Sequence, residues 1–451
     1  MARKKEKESV KAEPLLTKNY DLKYHDLTKD QQRASDLFDD WLHMKHKDRR
    51  TQVLRIGGVA GSGKSYLIKY ILDHYKFDTT ECYVVAYTGQ AVNNLRQAGI
   101  MAKTIHSTFM HVKDVQIRDK NGNPIYRSGI PLMKKKFTPV KKIPSTIKCI
   151  ICDEASFISE KVEDLMCSYG VPVLEIGDPI QLPPVTGQQC FTDQNLDYFL
   201  DTIMRQEAGS EIIDLATRIR HYDPIDTRAY WNDVTFMWAQ ETIEDTFFQF
   251  KPFIKHADMI VVGTNKQRFA INNLYREYIL KTENPYPRAG EKLVCRKNDW
   301  STQLGPFPLT NGTKGRCLHD VGKSEVDKNS GMFLMDFKPD FITDDDYFDA
   351  LTCDIKFLRD EDNHKDMSYY EQINPWKKFE YAYALTAHTS QGSQQPTVVF
   401  MDSFGGNPEY HMRLRYTAVT RAEKHLYYIL PYSSKYPQWT DLWKGGFKPN
   451  E

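Results

Sequence analysis

Gly58-Val59-Ala60-Gly61-Ser62-Gly63-Lys64-Ser65 is the stretch on which the reading of this chain turns. It follows a short apolar run, Val53–Ile56, and opens a helical pattern over Lys64–His74. That is the setting in which a P-loop works. Its glycines let backbone N–H groups wrap phosphate oxygens, and the helix N-terminus adds partial positive charge. Gly58, Gly61, Ser62 and Gly63 would form the cradle, Lys64 would reach the β- and γ-phosphates, and Ser65 would ligate Mg2+. ATP and Mg2+ are therefore the expected cofactors. The bland alternative is a Gly-rich turn that merely joins strand to helix.

Further along, the apolar run Cys149–Cys152 ends in Asp153-Glu154-Ala155-Ser156. An acid at the carboxyl end of a strand lies where α/β sheets bind ligands. Asp153 is placed to hold Mg2+, and Glu154 to activate or orient the attacking water. A third run, Val173–Ile176, leads into Gly177-Asp178-Pro179-Ile180-Gln181-Leu182-Pro183-Pro184-Val185. There Gln181 can contact both the γ-phosphate and the water, and the prolines stiffen the loop. These runs, with Tyr83–Ala86, are short and almost continuously apolar, as strands of a parallel sheet covered on both faces should be. Helical patterns such as Gln90–Ala98 lie between them, so an α/β domain is expected. The layout returns with strands at Met259–Val262, Thr397–Met401 and His425–Ile429, which implies a second one.

At 451 residues the chain is too long for one ordinary core. No apolar run approaches the roughly 20 residues that span a bilayer, and the charged N-terminus has no signal core. Membrane and secreted roles are poor fits, and a cytoplasmic location is expected. The formal charge is +1, so contact with nucleic acid must come from local charge. Cys149 and Cys152 are spaced like half a zinc site, yet they sit in an apolar run and read as strand residues. Residues 1–20, rich in Lys and Glu, read as a flexible tail.

Two stretches break the α/β pattern. Residues 111–144 carry nine basic residues against two acids, with Asn121-Gly122 between Val115-Gln116-Ile117-Arg118 and Ile125-Tyr126. An Asn-Gly pair between such runs is a hairpin signal. Residues 301–377 are loop-rich with short strand candidates such as Gly331–Asp336, and within them 339–371 set eleven acids against three basic residues. Removing both insertions leaves 21–110 with 145–202 as one domain and 203–300 with 378–445 as the other.

The order of these motifs resembles superfamily 1 helicases, and within them the RecD-like branch that includes the phage Dda helicase, over residues 25–435. Leu27-Thr28-Lys29-Asp30-Gln31 resembles the opening motif, and Tyr87-Thr88-Gly89-Gln90-Ala91 and Thr104-Ile105-His106-Ser107 resemble segments that touch DNA. Met204-Arg205-Gln206 is similar to motif IV, Thr264-Asn265-Lys266 to the strand-end segment that follows, and Asn311-Gly312-Thr313-Lys314-Gly315 to the branch's Asn-Gly turn. Ala387-His388-Thr389-Ser390-Gln391-Gly392-Ser393 resembles motif V, and Tyr416-Thr417-Ala418-Val419-Thr420-Arg421-Ala422 motif VI. Two positions depart from the pattern: Tyr87 stands where Pro is usual, and Thr389 where Lys is usual.

The resemblance implies two tandem RecA-like P-loop domains, with a β-hairpin in the first and a small SH3-like β-barrel in the second. It implies an ATP-dependent DNA helicase of 5′-to-3′ polarity, working on single-stranded and fork DNA in replication, recombination or repair. Gln31 would read the adenine, and Arg205 and Arg421 would reach the γ-phosphate. Thr88, His106, Asn265, His388, Thr389 and Ser390 would hold DNA, and the hairpin would be a strand-splitting pin. The short chain suits a compact monomer, phage-encoded and acting in the host cytoplasm, with a single-strand binding, replisome or recombination protein as partner. A translocase or motor subunit without its own unwinding is the nearest alternative. A P-loop kinase explains neither the second arginine set nor motif V, and intact Lys64, Asp153, Glu154 and Arg421 argue against a dead DNA-binding protein.

Overall fold

A computed structural model describes residues 13–432, apart from 19, 47, 120, 128–129, 132, 185–186, 205–209, 224, 228–230, 306, 328–330, 343–344, 360–375 and 404–406. The chain divides into two units: residues up to 112 with 137–208, and 113–136 with 209 onward.

The first unit is built on a six-stranded sheet, in the order Tyr198–Leu200, Val53–Gly58, Val173–Gly177, Cys149–Asp153, Cys82–Ala86 and Lys103–Thr104. Each neighbouring pair is parallel. Side chains alternate between the faces of a strand. Cys149 and Ile151 therefore enter one buried cluster with Leu54, Ile56 and Val84, while Ile150 and Cys152 enter another with Val53 and Val85. Two covered faces explain the unbroken apolar runs. They also separate Cys149 from Cys152, which cannot share a metal from opposite faces of one strand. The helices Lys64–Tyr75 and Gly89–Gln97 follow their strands as the sequence pattern requires.

The tail expectation fails for the residues described within it. Leu15 is 2% exposed and belongs to the first cluster. Pro14 bridges to Asp78 and Leu16 to Ile100, and Tyr20 donates its hydroxyl to the Ala98 carbonyl at 2.9 Å. The apolar pair Leu15-Leu16 outweighs the surrounding lysines, because burial of a leucine contributes roughly 1.5–3 kcal/mol.

The basic insertion is paired at its root, Met110–Gln116 with Met133–Pro139. Its tip turns at Asn121-Gly122: Asp119 N donates to Asn123 O at 2.8 Å and Ile125 N to Ile117 O at 2.9 Å. Gly122 takes φ of +84°, the left-handed backbone that an Asn-Gly turn needs.

In the second unit, a parallel sheet runs Val234–Trp238, Ala422–Leu430, Gln395–Met401, Met259–Val262 and Ala384–Thr386. An antiparallel sheet joins Val326–Asp327, Met332–Pro339, Lys314–Cys317, Lys292–Cys295 and Phe379–Tyr381, with Phe348–Asp354 on the Met332–Pro339 strand. Phe333, Met335 and Phe337 alternate inward to a core with Leu293, Phe348 and Phe379. This sheet reaches beyond both expected limits, 301 and 377, because Lys292–Cys295 and Phe379–Tyr381 pair with each other within it. Much of the acidic run, residues 360–371, lies outside the described residues.

Candidate active site and nucleic-acid interface

Strands of a parallel sheet end on the same side, and α/β folds bind ligands outside those carboxyl ends. Gly57 is level with Gly177 and Ala86 with Asp153. The P-loop, the acid pair, the Asp178–Gln181 turn, Thr88 and His106 all leave the first sheet at that one edge.

Gly61 and Gly63 take φ of +81° and +77°. A Cβ at Gly63 would lie 2.4 Å from Gln31 Nε2 and 2.6 Å from Met204 Sδ, so those side chains would have to move, and the left-handed backbone would strain any other residue. Lys64 folds its Nζ back on the loop, donating to the carbonyls of Gly58 at 2.9 Å and Val59 at 3.0 Å. Ser62 Oγ is buried without a hydrogen-bond partner among the described residues, and Ser65 is exposed at the start of the helix. An ammonium held on main-chain carbonyls and an orphaned hydroxyl inside a Gly-rich loop fit a triphosphate.

Gln31 is fully buried in the first turn of the Lys29–Leu42 helix. Its Oε1 accepts from Thr28 N at 3.0 Å, and its Nε2 donates to the carbonyls of Ser62 at 3.3 Å and Gly63 at 3.2 Å. It braces the P-loop from outside. Met204 N donates to Gly61 O at 2.8 Å, so the chain approaching motif IV lies on the same loop. Arg205 itself lies outside the described residues.

Asp153 is buried at its strand end. Burial first, and then the charge of Glu154, push its carboxyl well above the usual carboxylate range, while Lys64 pulls the other way. Glu154 adopts φ 54°, ψ 45°. This left-handed backbone costs a non-glycine residue roughly 1–3 kcal/mol and is found where function demands it. Gln181 is also buried, in a turn closed by its own N–H on Asp178 O at 3.2 Å and by Ile180 N on Asp178 Oδ1 at 3.1 Å.

Thr88 caps the Gly89–Gln97 helix, accepting from Ala91 N at 3.1 Å. The half-buried His106 ring makes edge contacts with Tyr87 at 5.5 Å and Phe137 at 6.1 Å between centroids. Burial lowers its pKa, so the imidazole is neutral near pH 7.

The second unit divides its candidates between the two ends of its parallel sheet. Thr386 and Met401 are both level with Val262, at the carboxyl end. Ala422, next to Arg421, is level with Gln395 at the amino end. At the carboxyl end, Asn265 is exposed at the first position of the Asn265–Leu274 helix, which Thr264 caps. His388 is held neutral by burial, and Thr389 Oγ1 lies 2.9 Å from Thr386 Oγ1. Ser390 is fully buried with its hydroxyl on Ala387 O at 2.9 Å, so it shapes the turn rather than the surface.

At the amino end, Arg421 is held by main-chain and hydroxyl oxygens: Thr417 O at 2.9 Å, Ser393 O at 3.1 Å and Thr420 Oγ1 at 3.0 Å. Lys314, from the antiparallel sheet, donates to Ser393 Oγ. Burial and the neighbouring Arg421 push its ammonium down to about 8. The sequence placed Lys314 only in an Asn-Gly turn; its meeting with Ser393 joins residues 79 apart and has no local signature.

Two family models match the chain: the AAA domain over residues 42–238 and the UvrD-like helicase C-terminal domain over residues 381–429. With the two-sheet architecture, they place it in a class: an ATPase domain followed by a helicase-type C-terminal domain, the make-up of a DNA helicase and ATPase. Among solved structures, a Pif1 helicase described in DNA unwinding at forked duplexes aligns over 93% of this chain and 97% of its own, with a TM-score of 0.50 and 17% identity. The Pif1 helicase of Candida albicans aligns over 93% and 98%, with a TM-score of 0.47 and 18% identity. Among curated proteins, an uncharacterised protein of Acanthamoeba polyphaga mimivirus is 22% identical, covering 89% of this chain and 99% of its own. Among the described residues, no helix is long and apolar enough to cross a membrane.

Proposed function

We propose that this helicase belongs to the RecD-like branch, moves along single-stranded DNA from 5′ to 3′, and opens duplexes as it goes. The joint placement of Lys64, Asp153, Glu154 and Gln181 at one sheet edge carries the reading. The P-loop amides and Lys64 hold the β- and γ-phosphates of ATP, and Gln31, whose amide braces the loop, would read the adenine from there. Ser65 and Asp153 are the residues that would hold Mg2+, whose charge would neutralise the phosphate oxygens. Glu154 orients the attacking water and takes its proton, and Gln181 holds water and γ-phosphate in line.

Arg205 and Arg421 stabilise charge developing on the transferred phosphoryl group; such arginines contribute roughly 10³–10⁵ in rate in other NTPases. Thr88, His106, Asn265, His388 and Thr389 grip DNA phosphates, and Ser390 keeps the turn. Polar groups suffice for that role and accord with a net charge of +1. The basic hairpin splits the strands.

The test is strand separation on forks bearing only a 5′ or only a 3′ single-stranded tail. Unwinding confined to the 5′ tail is expected. Unwinding confined to the 3′ tail would reverse the polarity. No unwinding of either, with DNA-stimulated ATP turnover intact, would make the chain a translocase or motor subunit instead.

A further inference from the structure

The two segments of the second unit assigned to DNA, Thr264–Lys266 and His388–Ser390, are joined by a chain of buried charge. Arg268, one turn into the helix that begins at Asn265, pairs with Glu380 of the antiparallel sheet, and each of their side chains is only 4% exposed. Glu380 also accepts Arg296 Nε at 3.2 Å. Arg296 follows the Lys292–Cys295 strand, and its backbone N–H is fixed on Lys378 O at 2.7 Å. Its Nη1 donates to Thr389 Oγ1 at 3.4 Å. Two guanidinium groups thus converge on one carboxylate. Arg268 takes both of its oxygens, and Arg296 shares one of them.

The shared carboxylate leaves Arg296 the less neutralised of the pair. Its side chain is 29% exposed, against 4% for Arg268. Its Nη1 reaches Thr389, which follows the carboxyl end of a parallel-sheet strand. Arginine's planar fork suits an anion with several oxygens, and a guanidinium half-anchored by a carboxylate has lost little freedom by the time it meets one.

We propose that Arg296 is a phosphate-binding residue of the single-stranded DNA track, sharing one backbone phosphate with Thr389. This rests on the reading that the motif V segment lies on that track. Thr389 carries no charge of its own, and Arg296 brings a cation to its side from a different strand. Glu380 positions it, and Arg268 holds Glu380.

Binding of a fluorescent oligo-dT across a salt series tests this. A cation lost from a single-strand contact lowers the slope of log affinity against log salt by about 0.7. Arg296→Ala should lower the slope by that amount and weaken binding on the order of ten-fold at low salt. Arg296→Lys should keep the slope, and Thr389→Lys added to Arg296→Ala should restore it. Weaker binding at an unchanged slope would make Arg296 merely structural and overturn the proposal, as would no change in either. Should Arg296→Ala not fold, Thr389→Lys alone decides. A gain of less than half a charge in slope means that the phosphate is already neutralised by Arg296, and a full gain means that it is not. Loss of oligo-dT binding in the unaltered protein would instead refute the track reading beneath the proposal.

Discussion

The two parallel sheets put chemistry in different places. The first gathers the P-loop, Asp153-Glu154, Gln181, Thr88 and His106 at its carboxyl edge. The second separates its residues: Asn265, His388 and Thr389 at the carboxyl end, Arg421 at the amino end. The first sheet therefore works as one site. The second holds two sets at opposite ends, which the proposed roles give to DNA at the carboxyl end and to nucleotide at the amino end. Substitutions at the two ends should have different signatures, and those signatures can break the comparison.

The largest effect is expected at the amino end. Arg421→Ala should cut ATP turnover by roughly 10³–10⁵ and leave the salt slope of single-strand binding unchanged. A variant that loses DNA affinity while turning over ATP normally would put the two ends in the wrong roles. Next comes Glu154→Gln in the first sheet. Loss of a general base lowers the rate by roughly 10²–10⁴. Single-turnover hydrolysis should show that loss with ATP affinity retained, and a change in KM alone would deny Glu154 its role.

Glu380→Ala should act on folding before catalysis. Removing one partner of a buried ion pair costs roughly 3–5 kcal/mol, and here Arg268 and Arg296 would both lose their shared carboxylate. A marked drop in the thermal midpoint is expected; an unchanged midpoint would mean the bridge is ornamental. The smallest effect is a pH dependence at Lys314. Its ammonium titrates near 8 in the folded chain and near 10.5 when unfolded. Between those values the unfolded chain binds more protons, so stability rises with pH across that window. Lys314→Met should remove that rise in denaturant midpoints measured from pH 7.5 to 10; an undiminished rise would assign it elsewhere.

The same contrast explains what the sequence made legible. In the first unit the phosphate-site groups lie within a few residues of a strand end, so an apolar run followed by Gly58–Ser65 or by Asp153-Glu154 displays element and chemistry together. The strands Val53–Gly58 and Cys149–Asp153 begin at the expected residues for that reason. In the second unit the contacts that matter join residues distant in sequence: Arg268 to Glu380, 112 apart, Arg296 to Thr389, 93 apart, and Lys314 to Ser393, 79 apart. No periodicity or local spacing records such pairs. The full extent of the antiparallel sheet is hidden from the sequence for a related reason. Its strands Lys292–Cys295 and Phe379–Tyr381 lie some 80 residues apart and look alone like strands of the neighbouring α/β domain. At the N-terminus, the Lys- and Glu-rich composition hid Leu15, one buried side chain that anchors its neighbours.

The account stands on an ATPase whose chemistry is tied to a strand of DNA. Steady-state ATP turnover of the full chain, measured with and without a saturating single-stranded oligonucleotide, tests that tie most directly. The account predicts turnover many times faster with the oligonucleotide, and loss of the increase in Arg421→Ala. Equal rates with and without it, in a protein that hydrolyses ATP, would contradict the coupling.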